Sequence, residues 1–241
     1  MVMNPRGKKG VFFTAMVIVI ISLLGVSYLF YSNLQNREAV HNRISTMNNY
    51  LVSIEKNLPR QLYISGFRAV FSVESRITET GNFVSDINSS LNELFFNGTI
   101  YSEPREIMAG ATMSDILDSM NSNAEKVNAV INISDAQFSV SQIDPWSLRF
   151  VLTMNLILSD RENLVRWNKT EIVESFVPIT DFEDPFYALN TNNLVTNNIT
   201  RTPYTTFGQD NLSAHALNSY YKSSAKAPSF LDRLEGKTSP N

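Results

Sequence analysis

Twenty-one consecutive residues, Val11 to Tyr31 (VFFTAMVIVIISLLGVSYLFY), carry no charge, and only Thr14, Ser22 and Ser27 are polar. At 1.5 Å per residue a helix over this run is roughly 30 Å long, the thickness of a bilayer hydrocarbon core. A helix satisfies its own backbone hydrogen bonds, so Gly25 and the three hydroxyls are tolerable in lipid. Phe12 and Phe13 at one end and Tyr28, Phe30 and Tyr31 at the other suit the two interfaces. The run therefore predicts a transmembrane helix over 11–31. The competing reading is a cleaved secretory signal with Gly25-Val26-Ser27 as its small-x-small site, but such an apolar region is too long for one.

The flanks set the orientation. Arg6, Lys8 and Lys9 precede the run with no acid, whereas Arg37 after it is offset by Glu38. The positive-inside bias puts residues 1–10 in the cytoplasm and 32–241 outside the cell membrane. Removing those three positive charges from a net of -3 leaves -6 on the exterior part. Six N-x-[ST] sequons, at Asn88, Asn97, Asn132, Asn168, Asn198 and Asn211, all fall on that side and are candidate glycosylation sites. With 26 Asn in the chain, roughly four or five such triplets arise by chance, so they add little to the topology.

Beyond the membrane the apolar spacing stays helical. Val40, Ile44, Met47, Leu51, Ile54 and Leu58 form an a/d seam that either pairs with another helix or packs on the rest of the chain. Pro59 is expected to end or kink that helix near Asn57-Leu58. A second amphipathic stretch holds Tyr63, Phe67, Val70, Phe71 and Ile77, with Gly66 marking a close approach. Thr80-Gly81-Asn82 is a break. Phe83, Ile87, Leu91, Leu94 and Phe95 define a helix closed by Asn97-Gly98, and Thr112 with Asp115 caps another.

The period then changes from 3.6 to 2. Alternation over 127–134, a weaker strand over 137–143, a clear strand at Leu148 to Leu158 and a return over Leu164 to Val177 predict an antiparallel meander. Helices first and strands later is the α+β order. Short helices are expected within Asn211 to Tyr221 and Pro228 to Gly236, and Lys237 to Asn241 reads as an unfinished tail. The expected divisions are a cytoplasmic N-terminus (1–10), a membrane helix (11–31), a helical stalk (32–80), a helical part (81–126), a sheet (127–180) and a loop-rich C-terminal part (181–241).

The chemistry is sparse. There is no cysteine, so disulfides, thiolate metal sites and cysteine nucleophiles are excluded. Two histidines, His41 and His215, cannot build a histidine-rich metal site, and each reads as a surface or helix-face residue. No HExxH, GxSxG, P-loop or GxGxxG pattern occurs, and nothing in the charge balance points to nucleic acid. The expectation is a protein with no cofactor and no catalytic residues.

Two weaker sites stand beside that expectation. Asp181, Glu183 and Asp184, stiffened by Pro185, are a candidate calcium site, for which six to eight oxygen ligands are needed. The competing reading makes these acids the polar side of a loop that buries Phe182 and Phe186. Trp146 and Trp167 read as turn or core packing more readily than as a sugar platform.

Lys8-Lys9-Gly10 before Val11-Phe12-Phe13-Thr14 resembles the class III signal of archaeal type IV pilin-like proteins. That resemblance implies cleavage after Gly10, with Lys8 and Lys9 as recognition charges, and a helix that anchors or packs in a filament. The sequence departs from the pattern at Ala15, where many members carry Glu, which bears on assembly more than on processing. The stretches RQLYISGFRA (60–69), DPW (144–146), WNKTE (167–171), FEDPFY (182–187) and APSFLDRLEG (227–236) resemble a group of single-span archaeal surface proteins. This resemblance implies a location, and a chain continuing past Asn241, but no activity. The resulting expectation is a membrane-anchored, pilin-like structural or surface protein, in contact with the bilayer and self-associating or meeting a membrane partner through 11–58. The alternative is a surface-tethered binding module, calcium-dependent or not.

Overall fold

A computed structural model describes residues 6–162, 164–192 and 194–239, with the side chains of 6–11, Asn33 and Asn36 left out. The chain divides into two compact units, one ending at Asn49 and one beginning at Tyr50.

The first unit is helical: it is the N-terminal part of α1 (Arg6–Thr80). Its large apolar side chains from Phe12 to Tyr31 are all exposed, Phe12 at 74% and Phe30 at 69%. Ser22 donates to the Ile18 carbonyl at 2.8 Å, which satisfies that hydroxyl within the helix. This is the one helix among the described residues long and apolar enough to cross a membrane.

The second unit is a two-layer α+β structure. The rest of α1 is followed by α2 (Ile87–Asn97), a small hairpin of β1 (Thr99–Ile100) and β2 (Glu103–Pro104), a 3-10 turn, and α3 (Met113–Lys126). A meander follows, β3 (Ala129–Asp144), β4 (Ser147–Asp160) and β5 (Arg166–Pro178), antiparallel with β4 in the centre. Short helices α4 (Pro185–Asn190), α5 (Gln209–Leu217) and α6 (Phe230–Leu234) lie in the C-terminal segment.

Strict alternation explains β4. Leu148, Phe150, Leu152, Met154, Leu156 and Leu158 are all buried, while Arg149 on the opposite face ion-pairs with Glu174 of β5. The helices cover the buried face with Leu51, Ile54, Leu58, Leu62 and Val73 of α1, Leu91 and Phe95 of α2, and Ile116 of α3. The rings of Phe95, Phe138 and Phe150 stack in series, with centroids 4.3 and 5.7 Å apart.

Three expectations are corrected. α1 runs through Pro59 rather than ending there. Proline removes one backbone bond, but Ile54, Leu58 and Leu62 are all buried around it, and tertiary packing outweighs that local cost. The strands expected at 127–134 and 137–143 are one strand, β3, whose register against β4 shifts between Ser134 and Gln137. Asp135 takes a positive φ of 53° there, so the interruption is a bulge and not a turn. Finally the acids of 181–184 are not all on the polar side of a loop, because Asp184 is buried and caps α4 with Pro185 in its first turn. The seam divides as well: Val40 and Ile44 are exposed, whereas Leu51, Ile54 and Leu58 belong to the core of the second unit.

Other elements form as their residues dictate. α2 ends at Gly98, with φ 70°, and α3 begins in a complete capping box between Thr112 and Asp115. α6 repeats that box with Ser229 and Asp232.

Candidate functional site

Of the three acids expected to share a cation, Asp181 and Glu183 line one cavity and Asp184 does not. Asp184 points inward and is buried. Its carboxylate accepts hydrogen bonds from the Tyr221 hydroxyl at 2.6 Å and the Phe186 backbone at 3.1 Å, and it ion-pairs with Arg233. The Arg233 guanidinium also lies over the rings of Phe186 and Tyr221, at 5.2 and 5.6 Å. Burial pushes the Tyr221 hydroxyl up to about 12, against the pull of the Asn197 amide that donates to it at 2.9 Å. Asp181 is exposed in a left-handed backbone conformation, φ 73°. Glu183 pairs with Asn198 in an isolated antiparallel bridge. Among the described residues no three His, Asp or Glu side chains are grouped as metal ligands.

Two cavities flank this region. The larger, of about 590 Å³, lies where the β3–β4 turn meets α6 and the segment before it. Trp146 forms one wall, half-buried, with the Arg201 guanidinium 5.5 Å from its ring. Gln142 accepts from the Phe230 backbone at 2.7 Å and Glu235 from the Ile87 backbone at 2.8 Å. These bonds tie the C-terminal segment to the sheet and to α2.

The second cavity, of about 440 Å³, has Phe67, Phe71 and Phe182 as apolar walls and Glu74, Glu79, Asp181 and Glu183 as its acids. The Phe67 and Phe182 rings are 5.2 Å apart. Glu79 is matched by Arg105 at 2.7 Å and by the Ser75 hydroxyl. Glu74 is not: it is 9% exposed, and its Oε1 has no hydrogen-bond partner among the described residues. Burial, reinforced by the charge of Glu183, pushes its carboxyl up to about 9, so it holds a proton at neutral pH. A buried carboxyl with one oxygen unpartnered, in a cavity wall, is the strongest chemical feature of the second unit.

Sequence reasoning passed over Glu74. Its signal was present all the same: Glu74 falls four residues after Val70 and three before Ile77, on the apolar stripe of an amphipathic helix. A charge at such a position faces the core.

The remaining expected residues are dispersed. Asn88, Asn97, Asn132, Asn168 and Asn198 are exposed, while Asn211 is half-buried and donates to the Thr206 carbonyl at 3.0 Å. Lys8, Lys9 and Gly10 lie in the first turns of α1, and their side chains are outside the described residues. His41 is exposed, and the His215 ring packs edge-on against Phe207 at 5.2 Å. Trp167 is half-buried on β5, opposite Leu158. No family model, curated protein sequence or solved structure matches this chain.

Proposed function

We propose that the chain is a single-pass membrane protein whose residues beyond the apolar helix form a non-catalytic surface domain outside the cell. One observation carries this reading: the apolar side chains of Phe12 to Tyr31 are all exposed, so something other than this unit's own helix must cover them. Lipid fits that surface in length and chemistry. The basic residues Arg6, Lys8 and Lys9 on one flank give the orientation, and five exposed sequon asparagines are accessible for glycans. In the same proposal Gly10 is a processing site of the pilin-like kind, and 11–58 is the surface through which copies associate.

Protease added to intact cells tests the topology. The expected result is loss of everything beyond the helix together with a protected apolar fragment that resists alkaline carbonate. A chain that is released by carbonate, or untouched on whole cells, overturns the reading. Intact-mass measurement of the membrane-purified protein tests the pilin-like part: residues 1–10 should be missing.

A further inference from the structure

We propose that the cavity between Phe67, Phe71, Glu74, Phe182 and Glu183 binds a small organic cation, a primary ammonium or guanidinium group on an apolar stem. The inference is independent of whether 11–31 crosses a bilayer.

Glu74 Oε1 is an unmatched acceptor among the described residues. Leaving a buried carboxyl oxygen without a partner costs stability, and a hydrophobic residue on the same helical stripe would avoid that cost. Glu74 nevertheless occupies the wall of an open cavity, with Oε1 unpartnered. Oε1 itself is closed off from the opening, so an incoming N–H donor supplies the missing hydrogen bond only once the carboxylate turns toward the cavity.

Charge selects the sign of the ligand. Among the described residues four acids line the cavity, and no Lys, Arg or His does. Arg105 matches Glu79, but Glu74, Asp181 and Glu183 have no ion pair among the described residues. An anion would be repelled; a cation is complemented. A bare metal is the poorer fit, since no three of these acids are grouped as ligands and calcium needs six or more oxygens.

The aromatic walls select the shape. Phe67 and Phe71 present partly exposed rings, and Phe182 is buried behind Phe67. Rings beside a carboxylate hold an ammonium group by its charge and its alkyl or aryl stem by burial. About 440 Å³ is the size of a small-molecule site. The empty site keeps its proton on Glu74; the ammonium replaces it, and that proton leaves to solvent. Glu183 and Asp181, from the segment before α4, and Glu79, on α1 with its partner Arg105, are the charges that face Glu74 during this exchange.

Titration calorimetry on the full chain in detergent micelles tests the site. The probes are phenethylammonium, agmatine, neutral 2-phenylethanol, calcium alone and a lysine-containing tripeptide. Phenethylammonium or agmatine should bind, with heats that differ between buffers of different ionisation enthalpy because a proton is released. 2-Phenylethanol should bind at least about tenfold more weakly, and Glu74→Gln should weaken the ammonium by about tenfold or more. Phe71→Leu removes one aromatic wall at an exposed position and should also weaken it, which keeps the test available should Glu74→Gln not fold. Binding of the free amines assigns the site to a small molecule; Glu74-dependent binding of the tripeptide with neither free amine bound assigns the cation to a protein side chain and overturns the small-molecule proposal. Equal binding of the neutral alcohol, an unchanged Glu74→Gln affinity in folded protein, or no heat with any amine overturns the proposal. So does a calcium affinity that exceeds every amine.

Discussion

Gly66 on α1 lies under the ring of Phe150 on β4: a methyl group at position 66 would fall 2.8 Å from Cδ2 and 2.9 Å from Cε2. Phe150 cannot yield, because it is fully buried and stacked on Phe138. Gly66→Ala gains about 1 kcal/mol of helix propensity. Overpacking a close-packed core costs about 1–3 kcal/mol, so the net change should be destabilising and visible as a lower denaturant midpoint. Gly25 has nothing within 4 Å of its would-be Cβ, and Gly25→Ala should leave the midpoint of the second unit unchanged.

The pair between Asp184 and Arg233 gives a second prediction. Asp184 is wholly buried as a side chain and Arg233 is 23% exposed. Asp184→Asn keeps the shape and removes the charge, stranding a guanidinium among Phe186 and Tyr221. The expected loss is roughly 3–4 kcal/mol, the lower part of the range for breaking a buried pair because Arg233 still reaches some water. Adding Arg233→Met should recover part of that loss, and a double-mutant cycle measures how much.

Period and punctuation made much of this fold legible. Alternation at Leu148 to Leu158 announced β4, and the Thr112–Asp115 pair announced the start of α3, because both signals are local. Pro59 misled in one of its two readings, the helix end, for the opposite reason. Its local cost is real, but the burial of Leu58 and Leu62 that overrides it comes from distant parts of the chain. The site was hidden in the same way. Asp181, Glu183 and Asp184 are adjacent in sequence, yet Asp184 turns toward Arg233, forty-nine residues on, and Glu183 lines a cavity with Glu74 of α1. Sequence neighbours in extended backbone point to opposite sides, and only tertiary structure shows what waits on each.

Gly236 supplies a third prediction. It takes a φ of 74° after α6, and a Cβ there would fall 2.6 Å from Cδ2 of Phe83. Beside it Val84 donates to the Leu234 carbonyl at 3.2 Å. Gly236→Ala therefore combines a left-handed conformation that costs about 1 kcal/mol with a side-chain clash, for roughly 2–4 kcal/mol in all. Limited proteolysis should show the segment around α6 cut before the sheet, since it loses its seat on the start of α2.

Glu74 should leave its mark on the pH dependence of stability. Its carboxyl is raised from 4.5 to about 9 in the folded protein, by burial first and by Glu183 second. A raised pKa means that the folded state holds a proton the unfolded chain has lost, so this contribution to stability is full below about 4.5 and is lost as pH rises through about 9. Within that window the fall is at most roughly 1.4 kcal/mol per pH unit, and less where Glu74 is partly ionised in both states. Glu74→Gln keeps the shape and has no proton to lose, so its stability should vary less steeply over the same range. Chemical denaturation of both proteins at each pH unit across the window measures the difference. Parallel curves would mean that Glu74 titrates alike in the folded and unfolded chains, and that its burial carries no electrostatic cost.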